Sequence, residues 1–110
     1  MIRAHIVRDK NGFIRQIEIK GHAGFGKEGN DIVCAAVSAV AYTAAGAIGE
    51  LAGVSDCYIE KDGYMLISLP EDISGGKKQT AGIILETAAI GFKQIEAEYG
   101  EYVFVFDEEV

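Results

Sequence analysis

The chain has 110 residues, of which 49% are hydrophobic and 25% charged, with 10 Lys and Arg against 17 Asp and Glu for a formal net charge of −7. This size and balance support one domain over residues 1–110 with its own core, and they exclude a disordered chain. An acidic chain without a basic cluster is poorly suited to phosphate backbones, so no direct nucleic-acid partner is expected, whereas a basic protein or peptide suits the charge.

Residues 2–8 (IRAHIVR) alternate as a strand, Asn11-Gly12 is a tight hairpin signal, and residues 13–20 (FIRQIEIK) form the returning strand. Strict alternation sends Phe13, Arg15, Ile17 and Ile19 to the apolar side and Gln16, Glu18 and Lys20 to the other, with Arg15 breaking the row. Residues 21–31 (GHAGFGKEGND) carry Gly21, Gly24, Gly26 and Gly29 and are expected to be a mobile loop. A long helix follows over about 32–52, with Asp31 as N-cap and Gly53 at its end. Its residues from Ile32 to Gly49 carry no charge. So many alanines and small polar residues read as a helix covered on several sides of a core, not as a membrane span. The same small side chains would let a partner subunit approach closely.

Two short strands are expected at about 56–61 and 64–69, joined by Asp62-Gly63 and ended by Pro70. A second helix, about 77–99, shows the stripe Ala81, Ile84, Leu85, Ala88, Phe92, Ile95 and Tyr99. The last strand is 102–106 (YVFVF). The order ββαββαβ, rich in hairpins, predicts an α+β fold: a mainly antiparallel sheet with two helices packed on one face.

Cys34 and Cys57 form no C-x-x-C pair, and His5 and His22 are not at zinc-ligand spacing with them, so neither a metal nor a cofactor is expected. Arg3 and His5 interrupt any apolar leader, and the expected compartment is a reducing cytoplasm with both thiols free. Cys34 lies three residues after the cap Asp31, in the first turn of the helix, where the partial positive charge favours a thiolate nucleophile. If the glycine loop folds back, His22 can take the thiol proton and return one to a leaving amine. The first backbone N–H groups of the helix, including that of Cys34, are available in principle to hold an oxyanion. The bland alternatives are a packed cysteine, a surface histidine, and a Ser38 that only bonds its own helix backbone. Cys57 has no such surroundings and reads as structural.

Gly24, Gly26 and Gly29 also fit the G-x-G-x-x-G phosphate-binding pattern. The preceding strand is a hairpin arm, and the acidic residue about 20 positions on, Glu50, lies within the helix, so a nucleotide-binding module is the lesser reading.

The segment GHAGFGKEGNDIVCAAVS, residues 21–38, resembles the ribosomal-processing cysteine protease family, Prp, whose pattern is G-H-A, a glycine-rich stretch, then D-x-V-C-A-A-V-S. The element order and length resemble the family over essentially the whole chain. The resemblance implies a cysteine endopeptidase that removes the short N-terminal extension of large-subunit ribosomal protein twenty-seven, cleaving after a Phe-Phe pair, for ribosome assembly. It implies a Cys34–His22 dyad, supporting roles for Asp31 and Ser38, a homodimer, and a substrate-covering loop that includes Gly21, Ala23, Gly24, Phe25, Gly26, Gly29 and Asn30. A non-enzymatic ribosome-assembly factor of the same fold is the alternative, separated by the reactivity of Cys34.

Overall fold

The structure is a computed structural model and describes residues 1–27 and 31–109. Its elements are β1 (Ile2–Arg8), β2 (Ile14–Lys20), α1 (Ile32–Glu50), β3 (Tyr58–Lys61), β4 (Tyr64–Ser68), α2 (Gly75–Glu98) and β5 (Val103–Glu109). The strands form one five-stranded sheet in the order β3-β4-β2-β1-β5. β1 with β2, β2 with β4 and β3 with β4 are antiparallel; β5 alone runs parallel, alongside β1. The expected α+β order is therefore present.

The β1–β2 turn closes as its residues dictate. Gly12 takes φ +81°, and the Asp9 carboxylate accepts the N–H groups of Asn11 and Phe13 at 2.8 and 3.1 Å. β2 departs from strict alternation. The register places Val7 opposite Gln16 but Arg8 opposite Ile14, so Arg15 is an extra residue in the strand. Such a bulge re-aims the side chains beyond it. Ile14, rather than Phe13, enters the core at 1% exposure, while Phe13 is half-buried. Arg15, freed from the ladder face, donates from its guanidinium to the Pro70 carbonyl at 2.9 Å.

One face of the sheet carries Ile2, Ala4, Ile6, Ile17, Ile19 and Ile67, and both helices contribute to the core built on it. α2 buries Ala81, Leu85, Ala88, Ala89 and Phe92. Gly82 on α2 lies where a Cβ would press on the Phe13 ring at 3.0 Å, and a Cβ on Gly91 would stand 3.3 Å from Val40 of α1, so the two glycines let larger neighbours pack in. α1 is a correction to the expectation of a helix covered on several sides. It buries one stripe, Val33, Val37, Ala41, Ala44 and Ile48. Tyr42 and Leu51 are exposed, as is Ala39. By length and composition α1 is apolar enough to cross a membrane; Val33, Val37 and Ile48 pack inward, while Ile32 and Tyr42 face out among mainly small residues. Gly53 ends it at φ +69°, and the Val54 N–H reaches back to the Ile48 carbonyl at 3.2 Å.

At the β5 edge a charged network ties sheet to helix. Arg8 of β1 bonds Asp107 of β5 at 2.8 Å and also Glu86 of α2. Lys93 of α2 reaches the same Asp107 at 2.7 Å. The opposite sheet face leaves Phe104 and Phe106 half-exposed and stacked, with His5 against Phe106.

Candidate active site

The site forms where α1 begins, because the segment leaving β2 turns back over the helix start. Asp31 is the knot. One carboxylate oxygen accepts the N–H groups of Val33 and Cys34 at 2.9 and 3.0 Å, the cap expected from sequence. The other accepts those of Phe25 and Gly26 at 2.9 and 3.3 Å, which sequence reasoning did not foresee. Burial alone would raise the pKa of this 8%-exposed carboxyl. The backbone N–H groups of Cys34, Gly26, Phe25 and Val33 outweigh that cost and hold it below its ordinary value.

Residues 21–27, part of the expected mobile loop, are bonded to the rest of the chain at several points. The Gly21 N–H donates to the Gly63 carbonyl at 2.9 Å. The Met1 ammonium donates to the His22 carbonyl at 2.6 Å. Ala23 is buried. Phe25 sets its ring edge-on to Tyr99 and Tyr102, at 5.8 and 5.1 Å between centroids. Gly24 takes φ +71°, a conformation glycine adopts without strain. Gly29 and Asn30 of the expected covering loop lie outside the described residues.

Cys34 sits in the first turn of α1, half-buried and free of any disulfide. Its sulfur accepts the Ala23 N–H at 3.3 Å. His22, the residue before Ala23, is largely exposed and presents Nε2 to Asp62 at 3.7 Å. His22, Cys34 and Ser38 line one groove together with Tyr42, Glu60, Asp62 and Gly63. They also line an adjoining hollow with Gly24, Gly26 and Asp31. Among the described residues no hydrogen bond joins the His22 ring to the sulfur; the two residues share the groove in an open arrangement.

The far wall of the groove is aromatic and acidic. Tyr42 of α1 donates to Glu60 of β3 at 2.6 Å, and Tyr58 stands edge-on to Tyr42. The bond to Glu60, then burial, raises the Tyr42 phenol pKa. Tyr58 is pushed up to about 12, first by burial and then by the Glu60 charge. Both therefore remain hydrogen-bond donors at neutral pH. Cys57 is half-buried away from the groove, donates to the Ser55 carbonyl, and is raised by burial and by Asp56, in keeping with its structural reading.

One expectation fails. The Cys34 N–H is taken by the Asp31 carboxylate, and the Ala35 N–H donates to the Asp31 carbonyl at 3.0 Å. The N–H groups of Val33, Cys34 and Ala35 are thus occupied by Asp31. The groups that sequence reasoning missed are the Ala23 N–H and the Asp62-Gly63 turn. The first is a backbone atom without side-chain signal. The second reads from sequence only as a hairpin turn.

The arrangement places a nucleophilic atom, a proton carrier and an open groove in one place. The sequence profile of the family Cysteine protease Prp matches residues 1–104. The ribosomal processing cysteine protease Prp of Bacillus subtilis is 35% identical over 101 residues, covering 90% of both chains. That of Staphylococcus aureus is 31% identical over 104 residues, covering 94% of this chain and 95% of its own. A crystal structure of the S. aureus ribosomal processing protease Prp with a covalently linked product peptide superposes with a TM-score of 0.82. It is 28% identical and covers 98% of this chain and 100% of that one. Another structure of the S. aureus protein holds a substrate peptide. Match of the profile over nearly the full length, kinship above 30% and a shared fold agree: the chain belongs to the cysteine protease Prp family.

Proposed function

We propose that the chain is an endopeptidase that removes the N-terminal extension of large-subunit ribosomal protein twenty-seven, cutting after a Phe-Phe pair during ribosome assembly. Cys34 is the nucleophile and His22 the general base. The observation that carries this reading is the shared groove: Cys34 and His22 both line it, at the positive end of α1. The S. aureus relative, which carries a covalently linked product peptide, supports a peptide substrate for this chain.

In the reaction His22 takes the Cys34 thiol proton, and the sulfur attacks the scissile carbonyl carbon. The resulting tetrahedral adduct collapses with cleavage of the C–N bond. His22 then returns the proton to the leaving amine, which departs. A water, deprotonated by the same imidazole, attacks the thioester; the acid product leaves and the thiol is restored. The Ala23 N–H, already aimed at the sulfur, stabilises its thiolate form by a charge-assisted bond. Tyr42, Tyr64 and Met65, with Ile2 and Ile19 behind them, give the groove an apolar-aromatic lining suited to a phenylalanine.

The reading extends to a homodimer acting in the cytoplasm. The outward small-residue side of α1 and the neighbouring part of α2 form an apolar groove lined by Ala39, Val40, Ala47, Ile83, Ala88 and Gly91, a surface suited to close packing against a second copy. Both cysteines are free, in keeping with a reducing compartment.

The test is cleavage of a peptide spanning the extension and its Phe-Phe pair. Wild type is expected to cut after the second phenylalanine, and Cys34→Ala and His22→Ala to leave the peptide intact. Cleavage by Cys34→Ala, or an inert wild type, would overturn the assignment.

A further inference from the structure

Three contacts converge on one tight turn. The Gly63 carbonyl receives the Gly21 N–H at 2.9 Å, fixing the backbone beside His22. A Cβ on Gly63 would stand 3.0 Å from His22 Nε2 and 3.6 Å from both flanking ring carbons, so the imidazole lies directly against the bare backbone of Gly63. The Asp62 carboxylate stands 3.7 Å from the same Nε2. Gly63 adopts φ +65°, which keeps the turn tight and the position free of a side chain.

From this convergence we infer that the Asp62-Gly63 turn between β3 and β4 positions His22 for proton transfer, an inference that rests on the Cys34–His22 reading. Gly63 supplies a flat seat for the ring. Asp62 supplies the carboxylate that faces Nε2. A carboxylate at Nε2 favours the tautomer protonated there and leaves Nδ1 with the lone pair needed to accept the thiol proton. It also stabilises the imidazolium that forms once that proton has moved. At 3.7 Å the contact is an ion-pair distance, longer than a hydrogen bond. Both side chains are exposed, so salt screens the attraction, and a modest shortening when a peptide covers the groove strengthens it. The other charged and titratable groups around the ring, among the described residues, are the Cys34 thiol and Tyr42 phenol from α1, Glu60 and Lys61 from β3 and the Tyr64 phenol from β4, which line the same groove, Asp31, which lines the adjoining hollow, and the Met1 ammonium on the His22 carbonyl. Among the described residues the Asp62 carboxylate is the one paired with the ring.

Asp62→Asn, Asp62→Glu and His22→Ala separate this role from a structural one. Asp62 is 86% exposed, so its substitution leaves the core intact. With the extension peptide at low salt, Asp62→Asn is expected to lower kcat/KM by about 3- to 10-fold, mostly in kcat, as loss of a positioning carboxylate does. The acid limb of its pH profile, set by protonation of the base, is expected to move to lower pH. Asp62→Glu is expected to restore most of the rate, and the gap between wild type and Asp62→Asn is expected to narrow at about 0.5 M salt, where the Debye length falls to a few ångströms. Wild-type rate and an unmoved profile in Asp62→Asn, alongside an inactive His22→Ala, would overturn the inference and leave the dyad standing. Full activity in His22→Ala would instead overturn the dyad itself. A loss in Asp62→Asn that is independent of salt and not rescued by glutamate also overturns the inference.

Discussion

The Ala23 N–H points at the Cys34 sulfur from 3.3 Å, across the gap between the glycine segment and the start of α1. The residue that follows the proposed base is thereby bonded to the proposed nucleophile. Asp31 draws the same two pieces of chain together from the other side, through Phe25 and Gly26 on one oxygen and Val33 and Cys34 on the other. The position of His22 relative to Cys34 is therefore a consequence of backbone bonding on both sides of the gap, not of side-chain packing alone.

Asp31→Asn tests that clamp. A carboxylate accepts through both oxygens, whereas an amide accepts through one and presents donors at the other. The amide side chain of this variant can cap the helix or hold the loop, but not both. The expected outcome is a kcat/KM lower by at least about tenfold and faster hydrogen exchange in peptides covering residues 24–27, with the α1 core still protected. Unchanged exchange there would show that the loop is held by other means. The pH dependence follows from the same bonds. The folded carboxyl titrates below its ordinary value, so its contribution is present above the unfolded pKa. That contribution is lost only as pH falls through the depressed folded value.

Gly21→Ala and Gly24→Ala make a matched pair. Both positions have positive φ, +96° and +71°. A Cβ on Gly21 would collide with the Met1 carbonyl oxygen, whereas one on Gly24 meets nothing within 4 Å. Gly24→Ala is expected to cost about 1 kcal/mol of strain, with activity largely kept. Gly21→Ala adds a backbone displacement next to His22 and is expected to cost about 2–3 kcal/mol and most of the activity. Thermal unfolding and peptide cleavage measure the two effects, and equal losses for the pair would contradict the close approach.

Much of this was legible in the sequence, for physical reasons that differ by element. The ββαββαβ order followed from hairpin turns at Asn11-Gly12 and Asp62-Gly63 and from periodicity in α2. The cap followed from Asp31 standing before a charge-free run, and the site motif from residues 21–38. The bulge at Arg15 was hidden because periodicity assumes an unbroken ladder, and only pairing with Val7 and Arg8 reveals the extra residue. The single buried stripe of α1 was hidden because alanine fits both a core and a packed surface. The second pair of bonds to Asp31, and the seat that Gly63 offers His22, depend on how the chain folds back on itself, where spacing carries no signal.

The two thiols are expected to react in order. Cys57 is half-buried and raised by burial and by the Asp56 charge, and thiolate is the reacting form. Cys34 opens on the groove and receives an N–H from Ala23. At pH 7 and limiting iodoacetamide, mass spectrometry is expected to find the peptide containing Cys34 carboxamidomethylated at least about tenfold faster. Faster labelling of Cys57 would place the reactive sulfur elsewhere and argue for a packed Cys34.

Acid stability is expected to depend on the β5 edge. Asp107 is held down to about 2, chiefly by its bond to Arg8 and next by Lys93, against the opposing effect of burial. Its folded pKa is thus depressed, so its stabilisation is complete above the ordinary carboxylate value near ~4 and is lost as pH falls towards about 2. The Arg8 and Asp107 side chains are about 19% and 23% exposed and Glu86 46%, so solvent screening reduces the effect to the order of 1 kcal/mol. Asp107→Asn is expected to lose that amount at pH 7 and to show a flatter stability curve between about pH 4 and pH 2 than wild type. Because Arg8 also bonds Glu86, Arg8→Met is expected to cost more at pH 7 than Asp107→Asn. Denaturant melts at stepped pH measure both slopes. Parallel curves for Asp107→Asn and wild type would show that Asp107 titrates alike in the folded and unfolded chain, and that β5 is held to α2 by packing rather than by charge.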